Sequence, residues 1–158
     1  MRVCIVLITS LLLISSVNVW AFDVDGFRSG MNNKDVENIL TKWNFDKIVN
    51  RGDSIQAYDN QDKLTQRNFS FAFSNGKLTT YQKDFKPNMN NLIMLFDKLS
   101  RDYGKLTDSK SGVDLTIVGE VRYISFYWVN IKDSIELRYN MFEKNDQLSV
   151  VYEIYTKH

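Results

Sequence analysis

The sequence predicts an α+β protein in which an antiparallel sheet of about six to seven strands carries two helices on one face. Three segments near the C-terminus alternate apolar and polar side chains, as strands with one buried face do. Two other segments carry apolar residues at the spacing of amphipathic helices. Shifting one helical segment by 92 − 36 = 56 residues places Val36 on Leu92. We therefore expect a single domain of residues 22–158, built from repeats 27–86 and 87–157.

Residues 1–21 have the features of a secretory signal peptide. Arg2 supplies the positive charge, and residues 3–14 form an apolar run that is short for a membrane span. Val19 and Ala21 suit the positions that signal peptidase recognises, which predicts cleavage after Ala21. An uncleaved anchor is the alternative. The expected product has 158 − 21 = 137 residues and is periplasmic or secreted, with no later transmembrane segment.

Composition excludes several classes of function. Cys4 is the only cysteine, so the processed chain would contain no disulfide and no thiol nucleophile. Secreted eukaryotic domains of this size usually carry disulfides, and their absence indicates a bacterial envelope protein. His158, the last residue, is the only histidine, which excludes a His-dependent triad or metal site. Processing would leave 19 basic and 19 acidic residues without a basic stripe, so no nucleic-acid partner is expected.

Both helices have recognisable ends. Asn32 suits the N-cap of the first, and Asp35 lies where a negative charge favours the helix N-terminus. The apolar stripe of this helix comprises Val36, Ile39, Leu40 and Trp43. Pro87 ends the preceding strand, Asn88 caps the second helix and Gly104 suits its C-terminus. The second stripe comprises Leu92, Leu95, Phe96, Leu99 and Tyr103.

The segments between the helices are less regular. Residues 22–29 are interpreted as a lead-in, and residues 46–67 as a polar stretch with one short strand at 54–58. Alternating phenylalanines predict a strand that turns at Asn75-Gly76 and returns over residues 77–85. A two-residue turn and a three-residue turn with a bulge both remain open. Residues 105–112 are interpreted as a loop, followed by a further strand at Val113, Leu115 and Ile117.

The C-terminal meander is predicted over residues 121–130, 135–142 and 148–156. A loop at 130–133 places Phe126 opposite Leu137, and a turn at Lys144-Asn145 places Leu137 opposite Tyr152. One face is then apolar, and its burial would be the main driving force for folding. The residues of this inner face are Ile124, Phe126, Trp128, Ile135, Leu137, Tyr139, Met141, Leu148, Val150, Tyr152 and Ile154.

The opposite, outer face of the meander is the candidate binding surface, because Tyr and Arg are enriched at interfaces. An ordinary exposed sheet face is the alternative, since Tyr is also favoured in strands. The candidate binding residues are Tyr123, Tyr127, Glu136, Arg138, Asn140, Glu153 and Tyr155.

Carboxylates are the remaining candidates for catalysis. In the predicted register Glu136 opposes Glu153, and a close acid pair can raise the pKa of one member. Arg138, on the diagonal from Glu153, would keep that acid ionised. We therefore expect a solvated face, no catalytic residue and no enzyme activity. The acidic segment 59–62 lacks the glycine and bidentate glutamate of a calcium loop, so no metal or cofactor is expected.

Five short motifs carry a resemblance to known proteins: residues 27–40, 73–78, 96–106, Trp128 and residues 135–137. In this order they resemble a loose group of uncharacterised bacterial envelope proteins. The helix start that joins Gly30 and Met31 to Val36 is similar to the small-lipoprotein fold of the outer-membrane assembly machinery and to β-lactamase-inhibitor-like repeats. The resemblance implies the same α+β architecture and no catalytic residues.

These observations favour a soluble periplasmic, non-catalytic module. It would hold an envelope protein or peptide on the outer face, or by adding a strand at a sheet edge. The alternatives are an inhibitor of a lysozyme- or β-lactamase-type enzyme, which the resemblance implies, and a hydrolase that uses carboxylates alone. The sequence leaves the partner and the oligomeric state open.

Overall fold

The computed structural model describes residues 21–59, 67–117 and 119–154. The predicted signal peptide up to residue 20, most of the acidic segment 59–62, and Tyr155 lie outside the described residues. The described residues form two helices, an eight-stranded antiparallel sheet and a separate two-stranded hairpin. The α+β class is confirmed, whereas the predicted count of six to seven strands is too low.

The elements follow one another in a regular order. Each helix is followed by a meander of four strands, and the last strands of the two meanders pair at the centre of the large sheet. The sheet order is therefore β3-β4-β5-β6-β10-β9-β8-β7. The bounds are β1 Asp23–Val24, β2 Phe27–Arg28, α1 Asn33–Lys42, β3 Lys47–Asn50, β4 Ser54–Asp59, β5 Arg67–Ser74, β6 Lys77–Phe85, α2 Met89–Tyr103, β7 Asp108–Thr116, β8 Gly119–Val129, β9 Asp133–Met141 and β10 Gln147–Ile154.

Both helices begin at the predicted caps. The side-chain oxygen of Asn32 accepts a hydrogen bond from the Asp35 amide at 3.0 Å, and that of Asn88 accepts one from the Asn91 amide at 2.8 Å. Each bond satisfies an amide that has no partner within the first helical turn. Gly104 follows α2 with a positive φ of 83°, a conformation that glycine adopts without steric cost.

Both helices pack on the same face of the large sheet. Strand pairing aligns one residue from each of five neighbouring strands on that face: Phe71, Tyr81, Tyr152, Ile135 and Trp128. Trp43, at the end of α1, packs against Phe69, two residues from Phe71, with ring centroids 5.8 Å apart. Phe96 of α2 packs against Trp128 at 5.7 Å. A single hydrophobic core lies between the helices and this inner face.

The N-terminal segment is part of the core, so the interpretation of residues 22–29 as a lead-in is wrong. Strands β1 and β2 form a hairpin whose Phe27 is fully buried. Its ring lies 4.7 Å from that of Phe71 and 5.1 Å from that of Tyr81. The chain then attaches to β6, because the Gly30 amide donates to the Leu78 carbonyl and the Leu78 amide donates to the Met31 carbonyl.

The turn at Asn75-Gly76 has two residues, because Ser74 pairs with Lys77. Both turn residues have positive φ, 51° and 69°, as a tight hairpin turn of this type requires. The pairing shifts between Ala72 and Phe73, so the hairpin also contains a bulge. Of the two alternatives that the sequence left open, the two-residue turn is the one that occurs, and the bulge lies within the strands beyond it.

The predicted register of the C-terminal meander is confirmed in one hairpin and wrong in the other. Phe126 pairs with Leu137 and Trp128 with Ile135, as expected. Across the next turn Leu137 pairs with Val150 instead of Tyr152. The turn spans residues 142–146, and the Tyr139 hydroxyl donates to Asp146 at 2.8 Å. The shift is two residues, so each strand keeps the same face inward.

The longer turn also changes the environment of Met141, which was expected to face Leu148 in the core. Met141 pairs with Arg122 on β8, and β10 begins too late to cover it. Its side chain is 38% exposed. The prediction that Met141 is buried is therefore wrong, whereas Leu137, Leu148 and Val150 are buried as expected.

Both edge strands were missed or shortened in the sequence interpretation. Strand β3 lies in the stretch expected to contain one strand, now β4. Strand β7 begins at Asp108, so the predicted loop at 105–112 is wrong over its second half. Eight of the nine residues of β7 are exposed, and no apolar alternation marks its beginning.

Candidate functional site

The outer face of β7, β8 and β9 assembles most of the predicted binding residues. Tyr123 pairs with Asn140 and Tyr127 with Glu136, so these four side chains share one face with Arg138. Glu153 lies on β10 opposite Ser134, outside this group. Tyr155 lies beyond the described residues. The structure thus brings together five of the seven residues.

Glu136 organises this group. The Tyr127 hydroxyl donates to its Oε1 at 2.9 Å, and Nε of Arg138 donates to the same oxygen at 2.9 Å. The Glu136 side chain is 14% exposed, whereas that of Arg138 is 45% exposed. The carboxylate therefore holds both partners in place, while the guanidinium still reaches solvent. A guanidinium has further N–H donors that can bind a second acceptor.

The same contacts influence two pKa values. Burial raises the pKa of the Tyr127 hydroxyl, and its hydrogen bond to Glu136 adds to the effect. Burial alone would lower the pKa of Arg138, but the charge and hydrogen bond of Glu136 outweigh it and raise that pKa. At neutral pH Arg138 is a fixed cation and Tyr127 a neutral hydrogen-bond donor.

Lys110 on β7 completes the site, although the sequence interpretation placed it in a loop. Its Nζ lies 5.2 Å from the centroid of the Tyr127 ring, within the range of a cation–π contact. No apolar alternation precedes Val113, so the sequence carries no signal that would have placed Lys110 in a strand.

Ser125 lies between the two cations. It pairs with Lys110 on one side and with Arg138 on the other, so the three residues form a row across β7, β8 and β9. The residue is fully buried, and its hydroxyl oxygen has no hydrogen-bond partner within the described part of the chain.

Three of these residues, Lys110, Tyr127 and Arg138, line a shallow depression of about 330 Å³. Tyrosine rings, two cations and an amide supply the contacts, while Asp114 and Thr116 lie on the side nearest the sheet edge. Such a surface can bind an anionic or hydrogen-bonding group against aromatic rings. The lining residues are Lys110, Asp114, Thr116, Val121, Tyr123, Tyr127, Arg138, Asn140 and Phe142.

The expected opposition of Glu136 and Glu153 does not occur. Glu136 pairs with Val151 and Glu153 with Ser134, because of the two-residue shift between β9 and β10. The two acids occupy diagonal positions, where Cβ atoms are about 7–8 Å apart. Arg138 contacts Glu136 and not Glu153. The prediction that Glu136 and Glu153 form a close carboxylate pair is therefore wrong.

A larger polar concavity of about 730 Å³ lies beside the turn between β9 and β10. Asp84 and Asp146 are among its lining residues. Burial raises the pKa of Asp84, although a hydrogen bond from Gln82 works in the opposite direction. Across residues 21–59, 67–117 and 119–154, no group of three acidic, histidine or cysteine side chains is placed to hold a metal ion.

Comparison with known proteins adds no family. No protein-family model matches this chain, and neither a curated protein nor a solved structure matches it.

Of the helices in the described residues, neither has the length and apolar character needed to cross a membrane.

Proposed function

We propose that this protein is a non-catalytic binding module that holds a protein or peptide partner on the outer face of β7–β9. The depression around Lys110, Tyr127 and Arg138 carries the proposal, since it joins exposed cations to aromatic rings. The partner would place an acidic side chain or chain terminus there. Arg donates to carboxylates in a well-defined geometry, and its contacts are common among interface hot spots.

The ion pair within the site supports recognition in preference to catalysis. Glu136 Oε1 already accepts two hydrogen bonds, one from Tyr127 and one from Arg138, so this carboxylate serves to hold its two neighbours. Tyr127 and Arg138 are thereby preorganised, so binding would not have to order them. Preorganisation lowers the entropic cost of association.

Affinity capture from a periplasmic extract tests the proposal. Tagged protein is crosslinked to its partners, and the captured proteins are compared among the wild type, Arg138→Glu and Tyr127→Ala. We expect both variants to lose the same partner. Arg122→Glu is the matched control, because Arg122 is an exposed arginine on the opposite face of β8, where it pairs with Glu120.

The far-UV circular dichroism spectrum of each variant is measured first, so that loss of fold is not counted as loss of binding. Unchanged capture by Arg138→Glu and Tyr127→Ala would contradict the proposal. Equal loss by Arg122→Glu would also contradict it, since a general change in charge would then explain the result.

Export across the inner membrane, with removal of residues 1–21, belongs to the same proposal. The core supports the proposed boundary, because Phe22 is 3% exposed and its ring lies 6.4 Å from that of Tyr152. We expect N-terminal sequencing of protein from the periplasmic fraction to begin at Phe22. An intact N-terminus on protein held in the membrane fraction would indicate an anchor instead.

A further inference from the structure

Strand β7 forms one edge of the large sheet, and it is unusually open for an edge strand. It is nine residues long and exposed at all positions but Gly112, which is partly buried. Strand β3, at the opposite edge, has four residues, of which two are partly buried. Natural sheets limit unwanted pairing with short or covered edges. Of the two edges of the large sheet, only β3 is both short and partly buried.

We infer that the β7 edges of two copies of this chain pair antiparallel about Gly112, which extends the sheet by eight strands from the second copy. Gly112 is the midpoint of Asp108–Thr116. A twofold axis at Gly112 therefore pairs the whole strand with its counterpart. It places Lys110 of each copy opposite Asp114 of the other, and opposite charges at directly facing positions stabilise antiparallel strands.

Other symmetric registers are less favourable. The inner faces of the two copies lie on the same side of the joined sheet only if the twofold axis passes through a residue and not between two residues. Moving it to Ser111 places Asp108 opposite Asp114, and moving it to Asp114 places that residue opposite itself; both arrangements oppose like charges. An axis at Val113 leaves Lys110 opposite Thr116 and forms no directly facing ion pair. Only the Gly112 axis combines full overlap with two opposed ion pairs.

The charges needed for this pairing have no competing ion pair in the described part of the chain. Among the described residues, neither Lys110 nor Asp114 forms an ion pair within its own chain, and the contact of Lys110 is the Tyr127 ring. On the other face, Leu115 is 89% exposed. It would face Ser109 of the second copy and lose part of its exposure to water, which favours association.

Gly112 also suits the centre of the interface. The Tyr123 hydroxyl oxygen lies 3.0 Å from the position that a Cβ on Gly112 would occupy. The Tyr123 side chain therefore covers the backbone at the axis, where a larger residue would displace it. Because Lys110 and Asp114 also line the depression, pairing would bring the depressions of the two copies to either side of the axis.

Exchange of charges tests the register directly. Lys110→Asp and Asp114→Lys would each oppose like charges in a homodimer, and we expect each dimer to dissociate at least tenfold more readily than wild type. An equimolar mixture of the two variants restores both ion pairs, since one copy then carries an acid at both positions and the other copy a lysine at both. Light scattering after size exclusion measures the mass over a micromolar-to-millimolar concentration series.

Lys47→Asp is the matched control, because it makes the same change at the β3 edge, and it is expected to leave the dimer unchanged. A wild type that stays monomeric throughout the series would overturn the inference. So would a mixture that stays monomeric while the wild type dimerises. Arg138→Glu should lose the proposed partner yet keep the dimer, so failure of the inference is distinguishable from failure of the proposed function.

Discussion

Truncation of Phe27 is expected to cause a large loss of stability. The side chain is fully buried, and its ring contacts those of Trp43, Phe71 and Tyr81 at centroid distances of 5.3, 4.7 and 5.1 Å. Phe→Ala substitutions in cores cost about 3–5 kcal/mol, and each aromatic pair contributes about 0.5–1.5 kcal/mol beyond burial. We therefore expect Phe27→Ala to lower the free energy of unfolding by about 4 kcal/mol.

Urea unfolding, followed by circular dichroism and tryptophan fluorescence, measures this change. With a slope of about 2 kcal/mol per molar urea, the midpoint would fall by about 2 M. Ile131→Ala is the control, because Ile131 is 92% exposed, and such changes usually stay within about 0.5 kcal/mol. Phe27→Leu keeps most of the apolar volume and should lose less than Phe27→Ala. A loss below about 1 kcal/mol for Phe27→Ala would show that the N-terminal hairpin is not docked in the core.

Three further predictions concern stability. Asn32→Ala removes the cap of α1 and should cost about 1 kcal/mol, measured by urea unfolding; no change would mean that the cap bond does not persist in solution. Ser125→Ala removes a buried hydroxyl without a partner among the described residues and should be neutral or stabilising by about 1 kcal/mol; a clear loss would reveal a bond that Ser125 makes in solution. Because burial raises the pKa of Asp84, the ionised form opposes folding, so Asp84→Asn should stabilise the protein at pH 7. That gain should vanish as the pH falls below the ordinary aspartate pKa of about 3.9, and a gain that grows towards low pH would contradict it.

The elements that were predicted well depend on local interactions. Asn32 and Asn88 cap their helices through bonds to amides three residues later, and such contacts need no tertiary structure. The hairpin of β8 and β9 was predicted in register because its short loop determines which residues face each other.

The pairing of β9 with β10 shows the limit of alternation. Apolar residues at every second position determine which side of a strand is buried, but any shift by two residues preserves that side. Because the turn has five residues, Leu137 pairs with Val150 and not with Tyr152. This choice separated Glu136 from Glu153 and removed the expected acid pair.

Much of the candidate site was visible in the sequence, because Tyr127, Glu136 and Arg138 alternate on strands with a strong apolar face. Lys110 was not visible in the sequence, because the beginning of β7 is exposed on both faces and has no alternation of apolar and polar residues. Hydrogen bonding to β8 makes it a strand, and that contact is supplied by a segment later in the chain.

Local patterns along the chain were enough to assign the class of fold, the helix ends and the inward side of the central strands. These properties follow from short-range hydrogen bonds and from the period of apolar side chains. Three other properties emerge only in the folded protein: Phe27 belongs to the core, β7 is an open edge, and Lys110, Ser125 and Arg138 form one row. Each of these depends on strand pairing or packing between distant segments, and the free energy of such contacts appears only when the whole sheet is assembled.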